Sequence, residues 1–311
     1  MLDQRTIDAM AEEIIRRMEG ERRPSGTPAP SQRPHREDGA GAAPPPGGQP
    51  PSRGTPPPGE LEDIASREQR AIPTLREPED YDALIRMKGK TSARIGVGRC
   101  GPRLLTKTLL TLRADHAMAR DAVFTDVDPA FLERNGLFSV QTRCADKNTH
   151  ITRPDLGRQL SDEGVKTILE RCKKGVQAQI IVSDGLSSKA IEANAQDALP
   201  AIQEGLRQRG ISVGTPFFVR FGRVAVEDQV AELLDAEVVC ILIGERPGLA
   251  TAESMSAYLC YRARVGQPEA RRTVVSNIHS GGISAVEAGA YIAELIQKIL
   301  AAKASGVELQ K

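Results

Sequence analysis

The chain has 311 residues, enough for one or two domains with tails, and a formal net charge of +1. That balance offers no basic field for nucleic acid or an anionic membrane. Aromatic residues make up 3% and tryptophan is absent, which leaves no base-stacking platform.

The run Val238–Ile243 is the length of a strand, far short of the roughly 20 apolar residues that cross a bilayer. The N-terminus carries acidic residues and no apolar stretch, so no secretory leader is expected. Five cysteines, Cys100, Cys144, Cys172, Cys240 and Cys260, are scattered without a C-x-x-C pair. That pattern argues against a disulfide framework or a zinc site and for a reduced, cytoplasmic compartment.

In chain order, residues 3–19 read as an amphipathic helix. Asp3 is its cap, and Ile7, Met10, Ala11, Ile14 and Met18 share one face before Gly20. It reads either as a docking segment for a partner or as an accessory helix that folds back on its own domain. Residues 21–59 are rich in Pro, Gly, Ser and Arg, including Pro44–Pro46 and Pro56–Pro58, a composition that cannot bury a core and predicts a disordered linker. Mostly helical signals follow to residue 150, with breaks at Gly96–Gly101 and Asp126–Pro129. From 151 onward Gln179–Ser183, Phe217–Phe221, Val238–Ile243 and Arg272–Ile278 read as strands with helical patterns between them. The predicted organisation is a helix over 1–20, a linker over 21–75, a helical subdomain over 76–150 and an α/β, Rossmann-like domain with a mostly parallel sheet over 151–311. Ser284 and Glu287 form an S-x-x-E capping box, and Ile292, Leu295, Ile296 and Ile299 give the last helix its core stripe.

Ligands of open α/β sheets bind beyond the carboxyl ends of the strands. Four loops lie there: Ser183–Gly185, Gly222–Val224, Gly244–Gly248 and Asn277–Gly282. Taken singly, each reads as a tight strand-to-helix turn; four on one rim point to a ligand. Asp184, Asp228 and Glu245 are candidate acids or bases, but no nucleophile–base set accompanies them and G-x-S-x-G is absent, so the rim reads as a binding surface. Gly96–Gly101 matches G-x-G-x-x-G, yet no acidic residue ends a second strand at the required distance, and it reads as a glycine-rich turn. Asn277–Gly282 reads N-x-H-x-x-G, near the D-x-H-x-x-G signature of proteins that ligate cobalamin cobalt. Asn cannot orient the imidazole as a carboxylate does, so His279 is expected not on cobalt but at the cofactor rim, at a subunit contact or in a structural role. His116 and His150 stand alone and read as structural.

Leu156–Arg158, Ser183–Ser187, Gly214–Arg220, Gly222–Val224, Gly244–Leu249 and Ser276–His279, in that order and spacing, resemble the small (light) subunit of ethanolamine ammonia-lyase across most of residues 90–308. Leu104-Leu105 departs from the family, which usually carries a Pro there. The resemblance implies a hetero-oligomer. A large TIM-barrel subunit holds ethanolamine and the catalytic residues, and adenosylcobalamin lies between the subunits and starts radical chemistry that yields acetaldehyde and ammonia. It implies no catalytic residue and no metal ligand in this chain, since the family keeps cobalamin with its own base on cobalt. Carried over by motif, the cofactor contacts are Val224, Glu245 and Val274, with Asn277, Arg223 and Ser183 as second-rank candidates. Val274 lies inside its strand and fits the rim argument less well. The N-terminal helix and linker resemble the encapsulation peptides of bacterial microcompartment enzymes, which implies a shell or cargo partner for residues 3–19. The alternative is a non-catalytic scaffold or cargo-docking protein.

Overall fold

The computed structural model of the chain describes residues 63, 64 and 66–309. The expected helix over 3–19 and most of the linker predicted over 21–75 lie outside them; the described end of that span carries a short helix, Arg67–Ala71. Among the described residues no helix is long and apolar enough to cross a membrane.

The core is a six-stranded sheet built from β3 (Phe138–Gln141), β4 (Ala178–Ser183), β5 (Phe217–Arg220), β6 (Val238–Gly244), β7 (Met255–Tyr261) and β8 (Thr273–Ile278), in the order β3-β5-β4-β6-β7-β8. The first four are parallel to one another. β7 runs antiparallel to β6, and β8 antiparallel to β7. Two reversals cancel, so β8 points the same way as β6 and ends on the same rim. β4 and β6 are buried along their whole length. This explains why they read as unbroken apolar runs.

The expected α/β class with a mostly parallel sheet is found, and all four predicted strands are present within about a residue of their predicted bounds. Two strands went unread. β3 lies in the stretch read as helical and pairs with β5, so the sheet draws on residues before 151. β7, Met-Ser-Ala-Tyr-Leu-Cys-Tyr, lies in a second stretch read as helical. Met, Ser and Ala carry little β preference, and the pairing with β6 and β8 overrides it.

Helices α7 (Ser188–Gln208) and α9 (Ala285–Ala302) cover one face over Ile180, Val182, Leu242 and Ala257. They touch at backbone distance: a Cβ on Gly289 would lie 2.6 Å from Ala201 Cβ, and one on Gly205 2.7 Å from Ala293 Cβ. The predicted cap of α9 forms, with Ser284 Oγ accepting from the Glu287 N–H. On the other face α6 (Asp162–Arg171) and α8 (Val226–Leu234) pack over Phe217, Val219 and Ile241.

Before the sheet come α1 (Arg67–Ala71), α2 (Tyr81–Lys88), a hairpin of β1 (Arg99–Cys100) with β2 (Arg103–Leu104), α3 (Thr106–Phe124), α4 (Pro129–Arg134) and, after β3, α5 (Lys147–Thr152). The glycine-rich stretch Gly96–Gly101 leads into that hairpin. Gly101 sits at its turn with φ +57°, and a Cβ on Gly98 would overlap the Thr74 carbonyl at 2.2 Å. These glycines serve a turn and close packing.

Candidate functional site

The middle of the rim is closed by its own backbone. Gly185 has φ +50°, and a Cβ there would lie 2.4 Å from the Gly244 carbonyl oxygen; one on Gly244 would lie 2.1 Å from that of Ser187. Ser183 is buried and its hydroxyl donates to the Val219 carbonyl at 2.8 Å. Asp184 is buried as well. Its Oδ1 accepts the Phe221 N–H at 2.7 Å and its Oδ2 faces Lys147 Nζ at 3.2 Å. Burial pushes the Asp184 carboxyl up, and Lys147 opposes that. The carboxylate is a bracket that fixes Phe221, which holds φ +60°, and so aims the turn leading to Val224.

His150 supports the same turn from α5. Its Nε2 lies 2.8 Å from the Gly185 carbonyl and so carries the hydrogen, while Nδ1 finds no hydrogen-bond partner among the described residues. Burial, then the Arg223 charge, pushes its pKa down to about 4, so the ring is neutral. Arg223 is half-buried and donates from Nη2 to the His150 carbonyl at 2.6 Å. His116 is exposed on α3.

The open part lies beside this closed centre, along edge strand β8 and next to Tyr258 of β7. α8 leans on β6, and among the described residues no helix of that layer packs extensively on β7 or β8. Alternation along β8 sends Val275 into the core under α9 and Val274 to the uncovered face, where it is 45% exposed. Tyr258 stands opposite Val274 in the β7–β8 ladder. It is partly buried against the same apolar cluster as Val224, which precedes α8. Its hydroxyl donates to Glu245 Oε1 at 3.4 Å. Glu245 is half-buried just past β6, its N–H bonded to the Ser254 carbonyl at 2.9 Å.

A buried ion cluster underlies this face. Arg272 Nε lies 2.7 Å from Glu227 Oε1, Nη2 lies 2.7 Å from each Asp228 oxygen, and Nη1 lies 2.9 Å from Glu269 Oε2. Gln267 Nε2 donates to Asp228 Oδ1 at 2.9 Å. The cluster ties the first turn of α8, just after Val224, to the head of β8, just before Val274. Burial pushes Glu227 up to about 8 and Asp228 up to about 6, with Arg272 opposing both shifts. Glu227 Oε2 has no hydrogen-bond partner among the described residues.

Asn277–Gly282 is a tight turn held by its own bonds. Asn277 is exposed with φ +66°, its carbonyl accepts the Ile283 N–H at 2.9 Å, and His279 Nδ1 accepts the Gly281 N–H at 3.1 Å. The fold thus sets Glu245 and Val274 beside Tyr258, with Val224 on the apolar cluster that Tyr258 also packs against, and directs Ser183, Asp184 and Asp228 to structural bonds. Sequence reasoning missed Tyr258 because β7 was not recognised. It also missed the role of Arg272, which sits beside Arg271 at the head of an apolar strand with nothing in sequence to mark it as the buried one.

The sequence profile described as Ethanolamine ammonia-lyase light chain (EutC) matches residues 81–310. The chain belongs to this family. The matched span opens at the first residue of α2 and takes in every strand of the light-chain fold, together with Val224, Glu245 and Val274. Among curated relatives, the ethanolamine ammonia-lyase small subunits of Fusobacterium nucleatum and Clostridium tetani are each 55% identical over 252 residues, covering 81% of this chain and 85% of theirs. That of Listeria monocytogenes serovar 1/2a is 49% identical over 252 residues, covering 81% and 86%. The light-chain assignment makes this a subunit of a lyase, and the name small subunit implies a large one.

Proposed function

We propose that this chain forms one wall of an adenosylcobalamin site in a two-subunit ethanolamine ammonia-lyase, a carbon–nitrogen lyase that releases acetaldehyde and ammonia from ethanolamine. The large subunit holds substrate and the catalytic residues, and this chain is inactive without it. The chemistry that the bound cofactor supplies is homolysis of its cobalt–carbon bond to start a radical reaction. This chain's residues bind and orient.

The observation that supports the reading is that Glu245 and Val274, far apart in sequence, both adjoin Tyr258, which packs on the same apolar cluster as Val224. The donor set suits the group. A corrin edge alternates apolar stretches with amide side chains. The face offers valine walls and a half-buried carboxylate that accepts amide N–H groups in charge-assisted bonds. Arg223 and Asn277 lie on the adjoining turns as second-rank contacts. His279 is not proposed as a cobalt ligand, since its Nδ1 already accepts the Gly281 N–H.

The test is reconstitution. The chain and the large subunit, with ethanolamine and adenosylcobalamin, release ammonia, and neither does so alone. Ammonia release by the large subunit alone at the same rate would remove the proposal. We further propose a cytoplasmic location inside a bacterial microcompartment, with residues 3–19 as the docking helix for shell or cargo. A fluorescent protein carrying residues 1–20 should then gather in microcompartments, and diffuse fluorescence would count against it.

A further inference from the structure

We infer that Tyr258 is a further cofactor-contacting residue, its ring the floor between Val274 and Glu245 and its hydroxyl the group that aims the Glu245 carboxylate. The inference rests on the cofactor reading above and extends it to a residue outside the three carried over by motif.

Three observations converge on the ring. It stands opposite Val274 in the ladder between β7 and β8, so the two side chains are direct cross-strand neighbours on one face. It packs against the apolar cluster that also receives Val224. Its hydroxyl reaches Glu245 Oε1 at 3.4 Å. Tyr258 therefore adjoins Val274, reaches Glu245 and shares an apolar cluster with Val224, three positions that do not otherwise share an element.

The chemistry assigns distinct tasks to ring and hydroxyl. A phenol has an apolar body and a polar tip, which suits a boundary between a flat macrocycle and a polar rim. Burial, then the Glu245 charge, raises the Tyr258 pKa further, so the hydroxyl stays protonated and can only donate to the carboxylate. Donation to Oε1 leaves Oε2 to accept an amide N–H from the ligand. Two residues back, Ser256 projects to the same face. It is fully buried, and its Oγ has no hydrogen-bond partner among the described residues, so it does not compete for Glu245.

The experiment uses the complex with the large subunit and the variants Tyr258→Phe, Glu245→Ala and the double variant. Two quantities are read: equilibrium binding of hydroxocobalamin by absorbance titration, and KM for adenosylcobalamin against kcat. Tyr258→Phe keeps the ring and should weaken both binding and KM roughly three- to tenfold, the size of one hydrogen bond, with kcat at saturation unchanged. In the Glu245→Ala background the same change should have little further effect, because the hydroxyl acts through that carboxylate. If Glu245→Ala weakens cobalamin binding and Tyr258→Phe does not, the Tyr258 inference is overturned while the cofactor reading stands. An equal loss from Tyr258→Phe in both backgrounds would overturn the aiming role. If neither single variant changes binding, the cofactor reading itself fails.

Discussion

The guanidinium of Arg272 sits 2.7 Å from the Glu227 carboxylate, with both side chains shut away from water. Removing it leaves the buried Asp228 carboxylate, and Glu227 whenever it is ionised, with no other cation in the cluster. Arg272→Met is therefore expected to destabilise the domain by about 3–5 kcal/mol, the usual cost of breaking a buried pair on one side. Arg272→Lys should recover little, because an ammonium cannot span Glu227 and Asp228 together. Urea unfolding followed by circular dichroism checks both, and a loss below 1 kcal/mol in Arg272→Met would contradict the geometry.

The same cluster sets a pH dependence. Glu227, Asp228 and Glu269 face Arg272, so three carboxyl groups share one cation. Burial raises Glu227 from 4.5 to about 8 in the folded state. A group raised by folding contributes most at low pH, and its contribution is lost as pH climbs from 4.5 through about 8. Unfolding free energy should therefore fall across that window in proportion to one proton, and Glu227→Gln should flatten the slope. A slope unchanged by that substitution would place the proton elsewhere.

His150 has the opposite sign. Its folded pKa is depressed from 6.5 to about 4, so its contribution is complete above 6.5 and disappears as pH falls through that range. His150→Gln should remove this component of acid unfolding. Nuclear magnetic resonance titration of the ring should show a neutral imidazole at pH 5.5.

Gly244 gives a steric test of the closed centre of the rim. A methyl group there meets the Ser187 carbonyl at 2.1 Å, which is backbone and cannot swing aside. Gly244→Ala is expected to cost about 1–3 kcal/mol or more, as overpacking does, and to displace Glu245. Gly136→Ala is a contrast: its φ is +64°, unlike that of Gly244, but nothing lies within 4 Å of the added carbon. Its cost should be confined to backbone strain of roughly 1 kcal/mol. Thermal melts of the two variants separate the cases.

Glu245→Ala in the complex is expected to lower cobalamin affinity by about 1.5–3 kcal/mol, the range for a hydrogen bond to a charged group. Unaltered affinity and turnover would remove Glu245 from the contact set.

Strands β4, β5, β6 and β8 were legible because their runs of Val, Ile and Phe are bounded by turns, buried throughout in β4 and β6 and on one face only in β8. β7 was not, because its strand state is imposed by neighbours on both sides and not by Met255, Ser256 or Ala257 themselves. Missing β7 also hid why Val274, inside a strand, is accessible: with β7 inserted, β8 becomes an edge strand with one face bare. Asp184 and Asp228 illustrate a second limit. A sequence marks them as titratable, but only packing reveals that Lys147 and Arg272 engage them. The closed centre of the rim was half-readable: its glycines were noted as turns, but their contact with each other's backbone depends on strand order.

The contact between α7 and α9 reaches further than its location suggests. Gly205 and Gly289 let the two helices meet closely, each glycine facing an alanine methyl of the other helix, and α9 begins just after the Asn277–Gly282 turn. A single methyl added at Gly289 would lever α9 outward and pull on that turn. Variation at this remote seam, in a position no ligand touches, is thus coupled by rigid geometry to the alignment of the rim.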